Sequence, residues 1–375
     1  MKKVVIAIDS FKGCLPSAEA GKAAAEGIRS VYPECEVICL PIADGGEGML
    51  DVLIMATNGQ EVPISAHDPL MRWRNTYYGI SENGETAFIE MASISGLTLV
   101  PPEKRNPMLT TSYGTGELIR DALERGCRNF IIGIGGSATN DAGLGMLQAL
   151  GFRFSDKEGK EVGTGRGEVL IKVAHIDSTC VHPALNSCRF TVACDVQNPF
   201  YGPEGAAYVF APQKGADREM VEAFDAGLQN FAEVIRHTTG KDISHHPGAG
   251  AAGGMGGSLL AFLNAELKPG IQLMLEALDF SNKIKSADLI ITGEGKADRQ
   301  TLMGKVPSGI LAEARKQNIP VILLAGNIED SDELQQAGFE GVFSVNPPFI
   351  SLEEAMRPEV ARKNIQQTVE SICKK

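Results

Sequence analysis

The run Asp44-Gly45-Gly46-Glu47-Gly48 places two carboxylates on a backbone that contains three glycines. It comes directly after the apolar run Val37-Ile38-Cys39-Leu40-Pro41-Ile42, which predicts a short buried strand. Because glycine raises the entropy cost of folding, its density here indicates close backbone approach or positive φ. The pattern recurs where Asp288-Leu289-Ile290-Ile291-Thr292 runs into Gly293-Glu294-Gly295-Lys296.

Two strand ends that each present a carboxylate beside glycine predict a site for a metal-bound phosphate. Mg²⁺ takes oxygen ligands, and phosphate oxygens accept hydrogen bonds from backbone N–H groups. Either segment alone is better explained as a tight turn capped by an acid. The recurrence in one chain favours the site.

A third glycine tract extends from Gly133 to Gly145, between the predicted strand Phe130–Ile134 and a helix that contains Met146–Leu150. A strand, a glycine loop and a helix N-terminus together form an arrangement that cradles phosphate, because free N–H groups and the helix dipole point at the anion. The alternative is a tight turn with an Asn or Asp cap. We predict phosphate or substrate contacts from Gly135, Gly136, Ser137 and Asn140, and a metal contact from Asp141.

The common nucleotide-binding signatures are weak or missing. Gly133, Gly135 and Ala138 match the dinucleotide pattern G-x-G-x-x-[GA], but the tract has more glycines than a pyrophosphate turn needs. A nicotinamide-dependent hydroxyacid dehydrogenase is therefore the alternative of another class. The chain has no G-x-x-x-x-G-K-[ST], H-R-D or D-F-G motif, so a phosphotransferase here would use neither common nucleotide site.

Three further segments are candidates for function. A predicted strand ends on Asp195, Lys214 lies in a proline-glycine loop, and the segment from Gly248 to Gly257 has six glycines in ten residues. Each has a structural alternative: a turn before proline for Asp195, and solvated surface for Lys214. The glycine-rich segment is either a hinge or a second anion cradle, and the sequence leaves both open.

Composition excludes several classes of protein. A length of 375 residues predicts two domains, and a net charge of −12 argues against binding nucleic acid or an anionic membrane. No apolar run is long enough for a membrane span, and Asp9 interrupts the short apolar N-terminus. Eight scattered cysteines without a C-x-x-C pair predict free thiols in a reducing cytoplasm.

The predicted elements define an α/β fold. A β-α-β-α rhythm at both ends of the chain predicts a parallel, Rossmann-like or flavodoxin-like domain. Between these ends, Arg74–Ile80 and Thr86–Met91 flank Asn83-Gly84, which predicts an antiparallel hairpin with a type I′ turn. We therefore predict a discontinuous first domain, 1–67 and 281–375, and an inserted mixed α/β domain, 68–280.

Six segments in chain order carry a resemblance to a known family: Asp9-Ser10-Phe11-Lys12-Gly13, Ala43-Asp44-Gly45-Gly46-Glu47-Gly48, Tyr113-Gly114-Thr115-Gly116-Glu117-Leu118-Ile119, Ile134-Gly135-Gly136-Ser137-Ala138-Thr139-Asn140-Asp141, Pro212-Gln213-Lys214-Gly215-Ala216 and Thr292-Gly293-Glu294-Gly295. Together they resemble the bacterial glycerate kinase type-1 family over nearly the whole chain. One small departure is Ala142, where that family commonly has glycine.

The resemblance implies ATP-dependent phosphorylation of D-glycerate, dependence on Mg²⁺, and an active site in the cleft between two α/β domains. Relatives of this kind in glucarate and glyoxylate catabolism form 2-phosphoglycerate, which is the expected product. A glycerate 3-kinase, a non-catalytic sensor and the dehydrogenase are the alternatives. The sequence does not define the oligomeric state, so the question of a homodimer stays undecided.

Residue roles follow from what phosphoryl transfer requires: charge neutralisation, in-line positioning and a base or orienter for the attacking hydroxyl. Lys12 is predicted to contact the transferring phosphate, Asp44 to act on the hydroxyl or the metal, and Asp195 to be the base, with Asp141 as its competitor. Lys214 or Arg72 would hold the carboxylate of glycerate. The remaining predicted contacts are Ser10, Gly45, Gly46 and Gly293 for phosphate or substrate, and Glu47, Asp141 and Glu294 for metal.

Overall fold

The computed structural model describes residues 1–46 and 48–374. Within these residues the strands are β1 (Lys3–Ile8), β2 (Glu36–Cys39), β3 (Gln60–His67), β4 (Trp73–Ile80), β5 (Thr86–Glu90), β6 (Asn129–Gly133), β7 (Arg153–Ser155), β8 (His175–Asp177), β9 (Arg189–Ala193), β10 (Glu266–Lys268), β11 (Leu289–Ala297), β12 (Val321–Ile328) and β13 (Gly341–Ser344). The α-helices are α1 (Ser17–Val31), α2 (Met49–Ala56), α3 (Ala92–Ser95), α4 (Tyr113–Glu124), α5 (Leu144–Ala149), α6 (Ala206–Phe210), α7 (Arg218–Thr239), α8 (Met255–Phe262), α9 (Gly270–Ala277), α10 (Phe280–Lys283), α11 (Val306–Arg315), α12 (Ser331–Gln336), α13 (Leu352–Ala355) and α14 (Pro358–Cys373).

The chain divides into two compact units, each with its own hydrophobic core. Unit 1 comprises Met1–Asp44 and Ile271–Lys375, and unit 2 comprises Gly45–Gly270. These boundaries differ from the predicted ones after residues 67 and 280. The reason is that β3 pairs with β4 along its whole length and α2 packs on β4 and β5, which draws the segment after Asp44 into unit 2.

Unit 1 is built on a five-stranded parallel sheet in the order β13-β12-β11-β1-β2. Strand β1 lies between β2 and β11, with Ile6 opposite both Cys39 and Ile291. Numbered within the unit, this is the order 2-1-3-4-5 of flavodoxin-like sheets. The predicted parallel α/β fold is confirmed, and the strand order reverses between β1 and β11.

The C-terminal helical segment of unit 1 consists of two helices, α13 and α14. Helix α13 ends at Ala355, and α14 begins at Pro358. Proline lacks the N–H that a continuing helix would need but fits the first turn of a new one. Leu352 and Ala355 of the short helix α13 contribute to the pocket described below.

Unit 2 contains a six-stranded mixed sheet in the order β10-β9-β6-β5-β4-β3 and a small antiparallel pair, β7 and β8. The predicted hairpin of β4 and β5 is present, but the expected type I′ turn is wrong. Gly84 has φ 74° and donates to Ser81, whereas Asn83 does not take positive φ. A type I′ turn needs positive φ at both central residues, so only the glycine is in the left-handed region.

The glycine-rich segment from Gly248 to Gly257 is buried packing. A Cβ at Gly253 would lie 2.1 Å from the carbonyl oxygen of Thr139, and one at Gly250 would lie 2.2 Å from that of Pro199. Glycine is therefore required at these two positions for close backbone approach, a packing role that the sequence analysis did not consider. Ala142 has φ 50°, in the left-handed region that favours glycine.

None of the helices in the described part of the chain has the length and apolar character that crossing a membrane requires. The eight cysteines are all free, as predicted.

Candidate active site

A pocket of about 330 Å³ lies at the carboxyl edge of the unit 1 sheet. Residues that follow β1 form one side, residues of β11 form the next, and the ends of β12 and β13 complete the rim. In open α/β sheets, ligands bind outside the carboxyl ends of the strands where the strand order reverses. The charged side chains that line the pocket are Asp9, Lys12, Asp44, Glu294, Lys296 and Lys305.

Asp9 is the functional candidate that the sequence analysis did not single out. Its carboxylate is buried, and its Oδ1 accepts a hydrogen bond from the backbone N–H of Ser10 at 2.7 Å. Burial first, and then the neighbouring charge of Asp44, raise the pKa of Asp9 to about 7. The sequence could have pointed to Asp9, because it is the acid that directly follows the first strand, just as Asp44 follows the second.

Lys12 and Asp44 form an ion pair, with Lys12 Nζ 3.6 Å from Asp44 Oδ2. The lysine side chain is 67% exposed, so it can reach an anion in the pocket without leaving a buried position. The loop after β1 and the segment after β2 therefore bring two of the three predicted catalytic residues together.

Glu294 is held within β11 by its neighbours. Thr301 Oγ1 donates to Glu294 Oε1 at 2.6 Å, and Lys305 Nζ lies 3.5 Å from Oε2. Burial raises the pKa of Glu294. Lys296 and Lys305 also line the pocket and were not predicted as site residues. Lys296 could have been found from the sequence, because residues two apart on a strand share a face and Glu294 was a candidate. No sequence pattern pointed to Lys305.

Ser10 and Gly293 were both predicted to contact phosphate, but only Ser10 lines this pocket. Ser10 lines the pocket, and its backbone N–H is engaged by Asp9. Gly293 is buried inside β11, where an added Cβ would lie 2.5 Å from the carbonyl oxygen of Leu324. The prediction for Gly293 is not supported, because the glycine permits close packing of two strands and its carbonyl accepts from the N–H of Asp9.

In unit 2, the loop after β6 is organised by a buried lysine. Lys214 is 2% exposed, and its Nζ donates to Ser137 Oγ at 2.9 Å, Thr139 O at 2.6 Å and Asn140 Oδ1 at 3.1 Å. Burial lowers the pKa of Lys214 to about 7, an effect that the charge of Asp141 partly offsets. All three ammonium donors are used, so Lys214 has none left for the carboxylate that it was predicted to hold.

Asp141 is also a support of this loop. It is fully buried and accepts from the N–H and Oγ of Ser112, both at 2.7 Å, and from the N–H groups of Gly143 and Gly145 at 3.1 and 3.3 Å. Burial raises the pKa of Asp141. With four donors on its two oxygens, the carboxylate is not presented to a metal or to a substrate hydroxyl, which disfavours both predicted roles.

The exposed part of this loop is the dipeptide Gly135-Gly136. Gly136 has φ 71°, and a Cβ at Gly135 would meet nothing within 4 Å. These two of the predicted contacts remain open to a ligand, whereas Ser137 and Asn140 are buried against Lys214.

The glycines after Asp44 have packing roles of their own. Gly45 has φ 91°, and a Cβ there would lie 2.6 Å from Gly270 Cα. The carbonyl oxygen of Gly46 accepts from the N–H of Met49 at 3.3 Å, at the start of α2. The positive φ and the close approach to Gly270 account for glycine at position 45, as the sequence pattern indicated, whereas the hydrogen bond at Gly46 uses only its backbone carbonyl.

Asp195, the predicted base, is exposed just beyond β9. Its Oδ1 accepts from the backbone N–H of Gly270 at 2.8 Å. Arg72, the other candidate for the carboxylate of glycerate, donates through Nε to Asp68 Oδ2 at 2.7 Å and forms an ion pair with it. Asp195 is thus exposed to solvent, whereas Arg72 is paired with the buried Asp68.

No preformed metal cage of three or more acidic, His or Cys side chains exists among residues 1–46 and 48–374. Asp9 and Asp44 nevertheless fit Mg²⁺, because two mutually repelling carboxylates face one pocket and Mg²⁺ is commonly held by one or two carboxylates plus substrate phosphates. Glu294 lines the same pocket. The predicted ligand Glu47 lies outside the described residues.

The two units define a class: an α/β enzyme with a charged pocket at the switch point of a flavodoxin-like sheet. Residues 4–375 match the model of the glycerate kinase family. Glycerate 2-kinase of Escherichia coli K12 is 48% identical over 356 residues, covering 95% of this chain and 93% of that protein. Glycerate kinase of Bacillus subtilis 168 is 46% identical, covering 99% and 97%.

A solved structure agrees with these relatives. The crystal structure of a glycerate kinase 2 candidate from Salmonella typhimurium LT2 superposes with a TM-score of 0.91 at 44% identity, covering all of this chain and 97% of that one. The chain belongs to the glycerate kinase family. It is a kinase, which sets aside the dehydrogenase, and its family uses ATP.

Proposed function

We propose that the protein transfers the γ-phosphoryl group of ATP to the 2-hydroxyl of D-glycerate, giving 2-phosphoglycerate in sugar-acid or glyoxylate catabolism. The observation that carries this proposal is the pocket of unit 1, where three lysines and three carboxylates face one cavity at the switch point of the sheet. The product is proposed from the name of the Escherichia coli relative, a glycerate 2-kinase. Eight free cysteines support a cytoplasmic location.

In this proposal Lys12 contacts the transferring phosphoryl group, since it is exposed at the rim and lies 3.6 Å from Asp44. Lys296 and Lys305 supply further positive charge to the phosphates. Asp9 and Asp44 would hold Mg²⁺, which supplies neutralisation of phosphate charge when it is bound. Asp195 is the proposed base, because it is exposed and Asp141 is enclosed by four donors.

The exposed amides of Gly135 and Gly136 are proposed to bind an anionic group of the substrate, supported by the Lys214 network beneath them. Gly135→Ala keeps the backbone N–H but adds a methyl group to the exposed loop, which should hinder close approach of the anion and raise KM for glycerate roughly 10-fold, as much as losing one hydrogen bond to a charged group. The thermal midpoint should not change, since the Cβ meets no atom and φ is not positive.

The matched control is Gly163→Ala, another glycine with open space at Cβ and without positive φ. It should leave both KM and the midpoint at wild-type values. Steady-state kinetics and thermal unfolding of the two variants make the comparison. An unchanged KM in Gly135→Ala would contradict substrate binding at this loop.

The kinase proposal is tested by incubating the purified protein with ATP, Mg²⁺ and D-glycerate and measuring ADP. ADP should form only when glycerate is present and should stop when EDTA removes the metal. No ADP above a glycerate-free blank would overturn the proposal. Formation of ADP that persists in EDTA would overturn the Mg²⁺ requirement alone.

A further inference from the structure

The pocket of unit 1 has two chemically different halves. The charged half is the one described above. The other half is an apolar wall formed by Phe11, Val345, Leu352, Ala355, Met356 and Ala361. Leu352 is 78% exposed, so this wall keeps a large apolar side chain in solvent. Exposed apolar surface in a concave site with a few polar groups is typical of a small-molecule pocket.

The polar groups on this side are held in place. Asn346 donates through Nδ2 to the carbonyl oxygen of Gly326 at 2.8 Å and accepts at Oδ1 from Asn364 at 3.3 Å. Asn327 is exposed on the same rim. A ligand that fits must therefore have apolar faces, a hydrogen-bonding edge, and a negatively charged extension that reaches Lys12, Lys296 and Lys305.

A purine nucleotide has these three features. We propose that the apolar half of this pocket binds the adenine base, so that unit 1 is the nucleotide-binding unit and its three lysines hold the phosphates. This inference rests on the proposed kinase function. At about 330 Å³, the pocket lies at the lower end of the roughly 300–1,000 Å³ found for small-molecule sites.

Three other places in the described residues fit a nucleotide less well. A pocket between α9 and α11 is lined by Glu276, Asp279 and Glu313 with Lys316 as its one basic side chain. A pocket between β13 and α14 has no basic side chain. In unit 2, the ammonium of Lys214 has no donor left for a phosphate.

The direct test is Leu352→Asp, with ADP and inorganic tripolyphosphate as probes in calorimetric titrations. Leu352 is the first residue of α13, where an aspartate is favourable to the helix dipole, so the variant should fold normally. The matched control is Met303→Asp, since Met303 is 77% exposed and does not line the pocket. Tripolyphosphate reports on the lysines without a base.

Leu352→Asp should raise the Kd for ADP at least 10-fold and change the Kd for tripolyphosphate by less than 2-fold. Met303→Asp should change neither. An unchanged Kd for ADP, or an equal loss for both probes, would overturn the placement of the base. If the wild-type protein binds ADP but forms no ADP from ATP and glycerate, the proposed kinase function fails. The Kd values of the Leu352→Asp variant still decide whether the base binds in this pocket.

A second measurement needs no substitution. Cys14 lines the same pocket, with its Sγ 3.9 Å from the carbonyl oxygen of Ala355, and Cys180 is exposed in unit 2. ADP should slow labelling of Cys14 by N-ethylmaleimide at least 10-fold, read by peptide mass spectrometry, and leave labelling of Cys180 unchanged. Equal labelling of Cys14 with and without ADP would contradict the proposal.

Discussion

Replacing Lys12 by methionine lowers kcat by roughly 10²–10³-fold, on the scale of about 3–4 kcal/mol for a preorganised charge that faces the transition state. The same substitution changes the free energy of unfolding by no more than about 1 kcal/mol, because the side chain is exposed and its ion pair with Asp44 is a surface pair. The expected signature is therefore a large kinetic loss in a protein of normal stability. Asp44→Asn should show the same signature.

The control is Lys22→Met, because Lys22 is also 67% exposed and pairs with a carboxylate, Glu19, at 2.9 Å. It should retain both kcat and the thermal midpoint. Both quantities are measured on the same preparations of wild type and variants. A large drop in midpoint with near-normal kcat in Lys12→Met would make the residue a structural cap.

Replacing Lys214 by methionine lowers the free energy of unfolding by about 3–5 kcal/mol, the cost of breaking a buried charged network on one side. Ser137 Oγ, Thr139 O and Asn140 Oδ1 would each lose a buried donor. Urea unfolding followed by circular dichroism measures the loss. Lys241→Met is the control, since Lys241 also donates to carbonyl oxygens but is only partly buried, and its loss should be smaller.

The effect of Lys214 also depends on pH. Between its folded pKa of about 7 and its ordinary value of 10.5, the unfolded chain keeps a proton that the folded chain has lost. The unfolded state then binds more protons, so the fold gains stability as pH rises, by at most about 1.4 kcal/mol per pH unit. The gap between wild type and Lys214→Met should widen from pH 7 to 9 and stay constant below pH 6. A gap that narrows above pH 7 would contradict the lowered pKa.

The sheet of unit 1 was predictable because its signals are local. Apolar runs at 4–9 and 289–292 end at acids and glycines, and the observed strands Lys3–Ile8 and Leu289–Ala297 contain nearly all of these runs. The split at Pro358 was readable in principle, since proline favours a first helical turn.

The electrostatics of the site were not predictable, because they depend on contacts between distant parts of the chain. The burial of Asp9 and its proximity to Glu294 follow from β1 pairing with β11, more than 280 residues away. The buried donors of Lys214 reach residues 74–77 positions earlier. Gly45 and Gly293 look alike in sequence, and only the packing against Gly270 and Leu324 shows what each glycine permits.

The central claim, that this kinase phosphorylates the 2-hydroxyl of D-glycerate, is tested most directly by identifying the product. Phosphorus NMR of the purified protein with ATP, Mg²⁺ and D-glycerate should show the resonance of 2-phosphoglycerate growing as that of ADP appears. A spectrum in which 3-phosphoglycerate is the only new phosphate ester would contradict the claim.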